Sequence, residues 1–464
     1  MSMLVLVGCD TTPPDVALPI PTGFRAGGSG PASPVRQDWA ASFGSVELAR
    51  LVAVALAENL DVEAAVARIG EAEAQAVIAG SALFPMLNGT TDGSRTQSSG
   101  ALRGSGIKPV LSNRLALGLN ASYELDLFGR NQYALRAADE TARASRFDRD
   151  TIALATVASV ANTYFAVLSA QDRLRIAEDN IRIATRVLDA VRSRLTAGTG
   201  NALDTAQQEA VLATQRARIP PLQQAVDQNR NVVAVLLGRA PESVSIRGGS
   251  LDRLRLPGVR PGLPSQLLLR RPDIAFAEAS LASAEASVAS ARAAFFPSIQ
   301  LTGSGGAQSL ALRSILGPNA LAYSLAAGLT QPLFDGFLLQ GQLDFQRGRT
   351  AEFAALYRKS IVQSLSDVEN ALIAVRQTAE LEARQRDAVA ASQRALGLAE
   401  TQLKAGTIDI VTLFTVQVTL FSNQDALALA RFQRFQALVS LYQALGGGWT
   451  QERAVAVARA EGIP

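Results

Sequence analysis

The sequence predicts a mainly helical, internally duplicated chain that carries four two-faced membrane strands. Three observations predict it. Short segments alternate apolar and polar residues with a period of two, a set of segments recurs at nearly one offset, and two very long helical stretches contain no proline.

The alternation is clearest in "LALGLNASYELDLF", where Leu115, Leu117, Leu119, Ala121, Tyr123, Leu125 and Leu127 share one parity. The other parity holds Ala116, Gly118, Asn120, Ser122, Glu124 and Asp126. A strand with this pattern has one greasy face and one wet face. The pattern returns at Leu321, Tyr323, Leu325, Ala327 and Leu329. Strands are expected at 86–97, 114–127, 298–308 and 321–333, with Gly/Ser-rich loops at 98–112 and 309–319.

The duplication rests on three weak matches that agree. "SALFP" at 81–85 returns as "AAFFP" 212 positions later, "DLFG" at 126–129 as "PLFD" after 206, and "RLTAGT" at 194–199 as "QLKAGT" after 208. The offset is too long for a solenoid unit and reads as a doubled half-protein. The repeats span 45–263 and 264–448, preceded by a segment at 10–44 and followed by a tail at 449–464.

Each repeat opens with a helix, 45–82 or 264–294, stopped by Pro85 or Pro297. Arg270, Arg271 and Asp273 near the second start are expected to cap it and complement its dipole. After the strands, Gly129 and Gly336 release the chain into helices at 131–197 and 338–405, each about 100 Å long at 1.5 Å per residue. Their heptads run Ala153, Val160, Val167, Leu174, Ile181, Leu188, Leu195, then Ile361, Val368, Val375, Glu382, Val389, Leu396, Leu403. Only Glu382 breaks the apolar series, and strict sevens imply supercoiling against a neighbour. Gly198 and Gly406 stand where a C-cap glycine belongs. Helices return at 202–237, broken or kinked by Pro220-Pro221, and at 409–445.

Composition narrows the function. The chain has no histidine and one cysteine, so the usual general base, the usual metal ligand and thiolate zinc sites are missing. No enzyme, cofactor or metal site is expected. With 44 basic against 41 acidic residues and no basic run, nucleic acid is not an expected partner. No run of about 18 apolar residues suggests a transmembrane helix. Strands with an apolar face and open edges need cover. They pack on the helices as a small sheet in a soluble coiled-coil protein, or several chains pool them into a closed barrel in lipid. Polar second faces and Gly/Ser loops favour the barrel.

The N-terminus reads as the remnant of a signal. Leu6-Val7-Gly8-Cys9 fits a lipobox with Cys9 as the lipid attachment site; the basic leader and longer apolar segment of a complete signal peptide are missing, so the start reads as truncated or misassigned. A Pro/Gly/Ser-rich tether follows. Asp10 occupies the position that in some bacteria affects lipoprotein sorting.

With "LVGC", "YELDLFGR", "LPSQLLLRRPDIAFAEASLASAEASVASARAAFFPSIQLTGSGG" and "LKAGTIDIVTLFTVQVTLFSNQDALA" in place, the whole chain resembles the TolC-type outer-membrane efflux proteins, in the lipoprotein branch with NodT-like and OprM-like channels. The resemblance implies a homotrimer, with four strands per chain in one twelve-stranded barrel and a helical tunnel in the periplasm. It implies a passive exit duct for small toxic compounds, working with a periplasmic adaptor and an inner-membrane pump, commonly of the resistance-nodulation-division class. Polypeptide export by a one-step secretion system and a non-transport envelope scaffold are the alternatives. In this frame Leu115, Leu117, Leu119, Tyr123, Tyr323 and Leu325 face outer-membrane lipid, Asn120 and Ser122 face the lumen, and Glu124 and Asp126 lie near the rim. The resemblance places the gate in the turns at 198–204 and 406–415. The acids usual at the constriction fall near Thr412 and Thr415, leaving Asp409 and Asp204 as the acidic candidates and Val411 and Thr412 to narrow the hole. Around a trimer axis Asp409 forms a cation-favouring ring; as an isolated helix residue it is an N-cap.

Overall fold

The computed structural model describes residues 16–27, 35–99 and 110–451; Cys9, Asp10 and most of the tail lie outside them. The chain divides into two compact units, one built on Arg68–Ser145 and Ala277–Tyr357, the other on Ala17–Ala67, Arg146–Phe276 and Arg358–Pro464. Each unit draws on both halves of the sequence.

The first unit holds one antiparallel sheet in the order β1 (Met86–Ser98), β2 (Val110–Leu125), β3 (Ser298–Ser309), β4 (Leu321–Thr330). Among the described residues, each outer strand has a free edge. β2 begins four residues before the expected 114, and β4 ends three residues before the expected 333. Pro332 has no N–H to give to a ladder, which fits the early end. The partner of the sheet is not a helix layer: β4 is exposed along its whole length, and so is nearly all of β1.

The second unit is helical. Its main core joins Trp39, Phe43, Phe165, Phe435 and Tyr442 with Leu48, Val160 and Val167. Trp39 stacks on Tyr442 at 4.9 Å and 12°, and Phe43 meets Phe165 edge-on at 5.0 Å. Each such ring removed from water contributes about 1.5–3 kcal/mol.

The opening helix of the first repeat is two helices, α1 (Val46–Glu58) and α2 (Leu60–Gly80). Asn59 adopts an extended ψ of 128° and breaks them. Its Oδ1 accepts from the amides of Asp61 and Val62, and its Nδ2 donates to the carbonyl of Leu236, so a buried amide does what proline or glycine does elsewhere. In the second repeat, Pro264–Leu269 is a separate 3₁₀ turn and α6 runs Pro272–Ala293, starting at the proline.

The long helices are α3 (Arg130–Thr196) and α7 (Leu338–Lys404), 67 residues each. Contrary to the expectation from run length, α3 contains an 18-residue window apolar enough to cross a membrane, with mean hydropathy 1.6; half of it is buried inside the protein. Val160, Phe165 and Val167 show its destination, the helical core. The return limbs are α4 (Ala202–Ala217) and α5 (Ile219–Leu236), divided at Arg218 beside the proline pair, and the unbroken α8 (Ile410–Ala444).

The heptad positions Val160, Val167, Leu188, Ile361, Val368, Val389 and Leu396 are buried. Glu382 is buried too, at 2% exposure. Its Oε1 accepts from Arg386 at 2.8 Å and Arg431 at 3.2 Å, and its Oε2 from Arg434 at 2.8 Å. The break in the pattern is therefore a core carboxylate clasped by three guanidinium groups. Arg431 also pairs with Asp252, and burial holds its pKa below the ordinary arginine value.

Candidate channel wall and tip

The wall is read from the register. Residues paired across strands share a face. On one face Gly89, Leu119, Gly305 and Tyr323 lie in one row, and Leu87, Ala121, Gly303 and Leu325 in the next. The large side chains lie across glycine gaps: a Cβ built on Gly303 meets Leu325 Cδ2 at 3.2 Å, and one on Gly93 meets Leu115 Cδ2 at 3.4 Å. Tyr323 is 80% and Leu325 82% exposed, Leu117 and Leu119 are exposed, and Leu115 and Tyr123 are half-buried. All six sequence-assigned residues thus share one face.

The other face is polar in register. Asn88, Asn120, Ser304 and Ser324 form a row across all four strands. Asn120 Nδ2 donates to Thr90 Oγ1 at 3.1 Å, and Arg114 donates to Gln308 at 3.3 Å. Gly306 is a close approach: a Cβ there meets the Leu117 carbonyl oxygen at 2.2 Å.

At the strand ends, Glu124 pairs with Arg130 at 2.6 Å. Asp126 accepts from the Gln132 amide at 2.8 Å, and Asp335 from the Leu339 amide at 2.9 Å, so each long helix starts on an aspartate. The sequence reading places Asp126 near the rim and assigns neither aspartate to a helix start. A cavity of ≈ 300 Å³ lies among Glu124, Asp126, Phe128, Phe296, Pro332 and Asp335, with the rings of Phe128 and Phe296 stacked at 4.7 Å.

The tip is built twice. Gly198 (φ 70°) and Gly406 (φ 73°) take the left-handed conformation that side chains resist. Gly198 N donates to Leu195 O at 3.0 Å and Thr199 N to Arg194 O at 2.9 Å. Gly406 N donates to Leu403 O at 3.1 Å and Thr407 N to Gln402 O at 3.0 Å. These are paired Schellman ends. Asn201 then caps α4 by accepting from Leu203 N at 2.7 Å. Asp409 caps α8, accepting from the Thr412 amide at 2.7 Å and the Thr412 hydroxyl at 2.6 Å. Those two bonds hold its carboxyl below the usual carboxylate range. Ile410, Leu413 and Phe414 are buried, while Asp409, Val411, Thr412 and Thr415 are exposed. Asp204 is half-buried in the first turn of α4, at the register position of Thr412 by the 208-residue offset.

Arg271 departs from its expected role. Instead of serving the dipole of α6, it pairs with Asp273 at 2.6 Å and Asp367 at 3.1 Å and donates to the carbonyl of Ala444 at 3.2 Å. Ala444 ends α8, where a cation complements a dipole. Partners 96 and 173 residues away left no local trace in the sequence.

A sheet with an in-register apolar face, most of it exposed, and with both edges free among the described residues defines a subunit of a membrane channel. The family model described as outer membrane efflux protein matches residues 51–239 and 263–447, and the chain belongs to that family. It is similar to the pyoverdine export outer membrane protein OpmQ of Pseudomonas aeruginosa, 38% identical over 462 residues, covering 97% of this chain and 96% of that one. The toluene efflux pump outer membrane protein TtgC of Pseudomonas putida is 32% identical over 461 residues, covering 97% and 95%. Among solved structures, the open state of the Neisseria gonorrhoeae MtrE outer membrane channel superposes with a TM-score of 0.86 at 30% identity, covering 96% of this chain and 98% of that one. The chain is an efflux channel protein of the outer membrane.

Proposed function

We propose that three copies of the chain pool their sheets into one twelve-stranded barrel and serve as the passive exit duct of a tripartite pump. The observation that carries this is the in-register apolar face on a sheet with two free edges. Closure satisfies the edges, and lipid covers the face. Each repeat, 45–263 and 264–448, supplies two strands and a helical hairpin to the duct. Cys9 carries the lipid anchor. Asp204, Asp409, Val411, Thr412 and Thr415 line the periplasmic gate, with Asp409 both cap and acidic ring.

A periplasmic adaptor and an inner-membrane pump of the resistance-nodulation-division class complete the system. A groove of ≈ 420 Å³ lined by Arg186, Arg194, Glu400, Lys404 and apolar side chains supports a landing place for the adaptor near the tip. The cargo is small toxic compounds, drugs or metals. A second reading, export of pyoverdine or a compound like it, is favoured by the 38% identity with a pyoverdine export outer membrane protein. Pyoverdine export by a deletion strain and its complement separates the two.

The duct is tested in planar bilayers, where the purified oligomer is expected to conduct ions. Asn120→Cys is expected to react with water-soluble thiol reagents in the assembled oligomer, and Leu119→Cys to resist them. An inert Asn120→Cys overturns the lumen assignment.

A further inference from the structure

The apolar face of the sheet carries a single acidic or basic side chain among its paired residues, Arg95 of β1, which stands opposite Asn113 of β2. The remaining charges of the strands, Asp92, Arg114 and Glu124, have the opposite parity. Arg95 is exposed and has no ion pair among the described residues. The register fixes its height. From Leu125 to Leu115 the strand climbs about 25 Å, taking about 3.3 Å per residue and a tilt of about 40°, which is the height of an apolar barrel band. The row of Arg95 and Asn113 is the next one beyond Leu115 on that face. An arginine is unfavourable at mid-membrane and is accommodated at this edge, where hydrocarbon gives way to headgroups. The edge lies at the end of the sheet away from the long helices, which is the outer leaflet when the helices are periplasmic.

A second cation is tied to the same height. Ser309 pairs with Leu115 and so shares the apolar parity. Its Oγ lies 2.6 Å from Ser314 Oγ and accepts from the Ala311 amide at 3.2 Å. The turn Leu312–Ser314 is thereby folded back onto the strand end. It carries Arg313, exposed and again without an ion pair among the described residues. Leu312 and Leu316 on either side are 74% and 87% exposed. Exposed leucines flanking an arginine suit the boundary between acyl chains and headgroups. β2 separates β1 from β3, so Arg95 and the Ser309 turn stand about 10 Å apart across the sheet. Two cations at that spacing match a headgroup with a phosphate at each end better than one with a single phosphate.

We infer that Arg95 and Arg313 form a binding site for the doubly phosphorylated disaccharide headgroup of outer-leaflet glycolipid, with Leu312 and Leu316 against its acyl chains. Arginine suits the task because its planar fork takes two phosphate oxygens at once. The inference rests on the duct reading, which places this face in lipid.

Lipid binding to the purified full-length oligomer tests it. The oligomer in detergent is titrated with lipid A carrying both phosphates, lipid A carrying one, and phosphatidylglycerol, and bound lipid is counted by native mass spectrometry. The doubly phosphorylated form is expected to bind tightest. Arg95→Gln and Arg313→Gln are each expected to weaken it roughly tenfold, the loss of one charge-assisted contact. Arg114→Gln, on the opposite face, is expected to leave it unchanged. Binding unaffected by both Arg95→Gln and Arg313→Gln overturns the site, and so does equal affinity for phosphatidylglycerol. Arg114→Gln as damaging as Arg95→Gln overturns the assignment of faces. If the glutamine variants do not assemble, the wild type carries the test: equal affinity for the two forms of lipid A overturns the inference. A wild type that conducts in planar bilayers without preferring the doubly phosphorylated form loses this inference alone. A wild type that binds as expected and does not conduct overturns the duct reading and leaves the site standing.

Discussion

The two halves of the chain end their long helices alike and come back differently. α3 and α7 stop on the same glycine turn with the same pair of backbone bonds. The return limb of the first half is divided at Arg218 into α4 and α5, whereas α8 runs 35 residues without a break. The caps differ, Asn201 against Asp409, and so does one heptad position, Leu174 against Glu382. The turn is dictated by backbone geometry that only glycine meets without strain, so both copies keep it. Caps and core positions tolerate several chemistries, and there the copies have diverged.

The sharpest way to break the comparison is at the heptad. Glu382→Ala leaves Arg431 and Arg434 partly buried without their shared partner. A loss of about 3–5 kcal/mol is expected, against about 2 kcal/mol for Leu174→Ala. Thermal melting of the detergent-solubilised oligomer measures both, and equal losses remove any special role for the ionic clasp.

Next in size is the sheet. Gly306→Ala forces a Cβ onto the Leu117 carbonyl, whereas a Cβ on Gly305 meets nothing within 4 Å. The first is expected to cost about 1–3 kcal/mol and to reduce assembled oligomer; the second is expected to leave its yield unchanged. Equal yields from the adjacent glycines contradict the register.

Smaller effects come from the shared turn. Gly198→Ala and Gly406→Ala are each expected to cost about 1–2 kcal/mol for a left-handed alanine. A clear inequality in melting shows that the two turns are not equivalent.

The smallest effect distinguishes the caps. Asp409 has its folded pKa depressed, so its contribution is present above the unfolded carboxylate value and is lost as pH falls through the lower folded value. The protection factor of the Leu413 amide, taken against the intrinsic exchange rate at each pH, is expected to fall on acidification in wild type. Asp409→Asn is expected to keep the cap and lose that pH dependence, as Asn201 already does. An acid response that persists in Asp409→Asn refutes the assignment.

The elements were legible because their determinants are local. Parity marks the strands, Gly198 and Gly406 mark the helix ends, and Pro220-Pro221 marks the divided limb. Asn59 escaped because an asparagine inside a continuous helical pattern announces nothing until its amide finds Leu236. Glu382 was visible as an anomaly, but its partners Arg431 and Arg434 stand about fifty residues on.

The free edges of β1 and β4 have a consequence for how the wall comes into being. A strand pair that closes only between molecules makes folding of the sheet a matter of encounter, so its population follows chain concentration by mass action. Dilution and low expression are then expected to act like destabilising mutations, confined to the strand unit and leaving the helical core of Phe43, Phe165 and Phe435 formed.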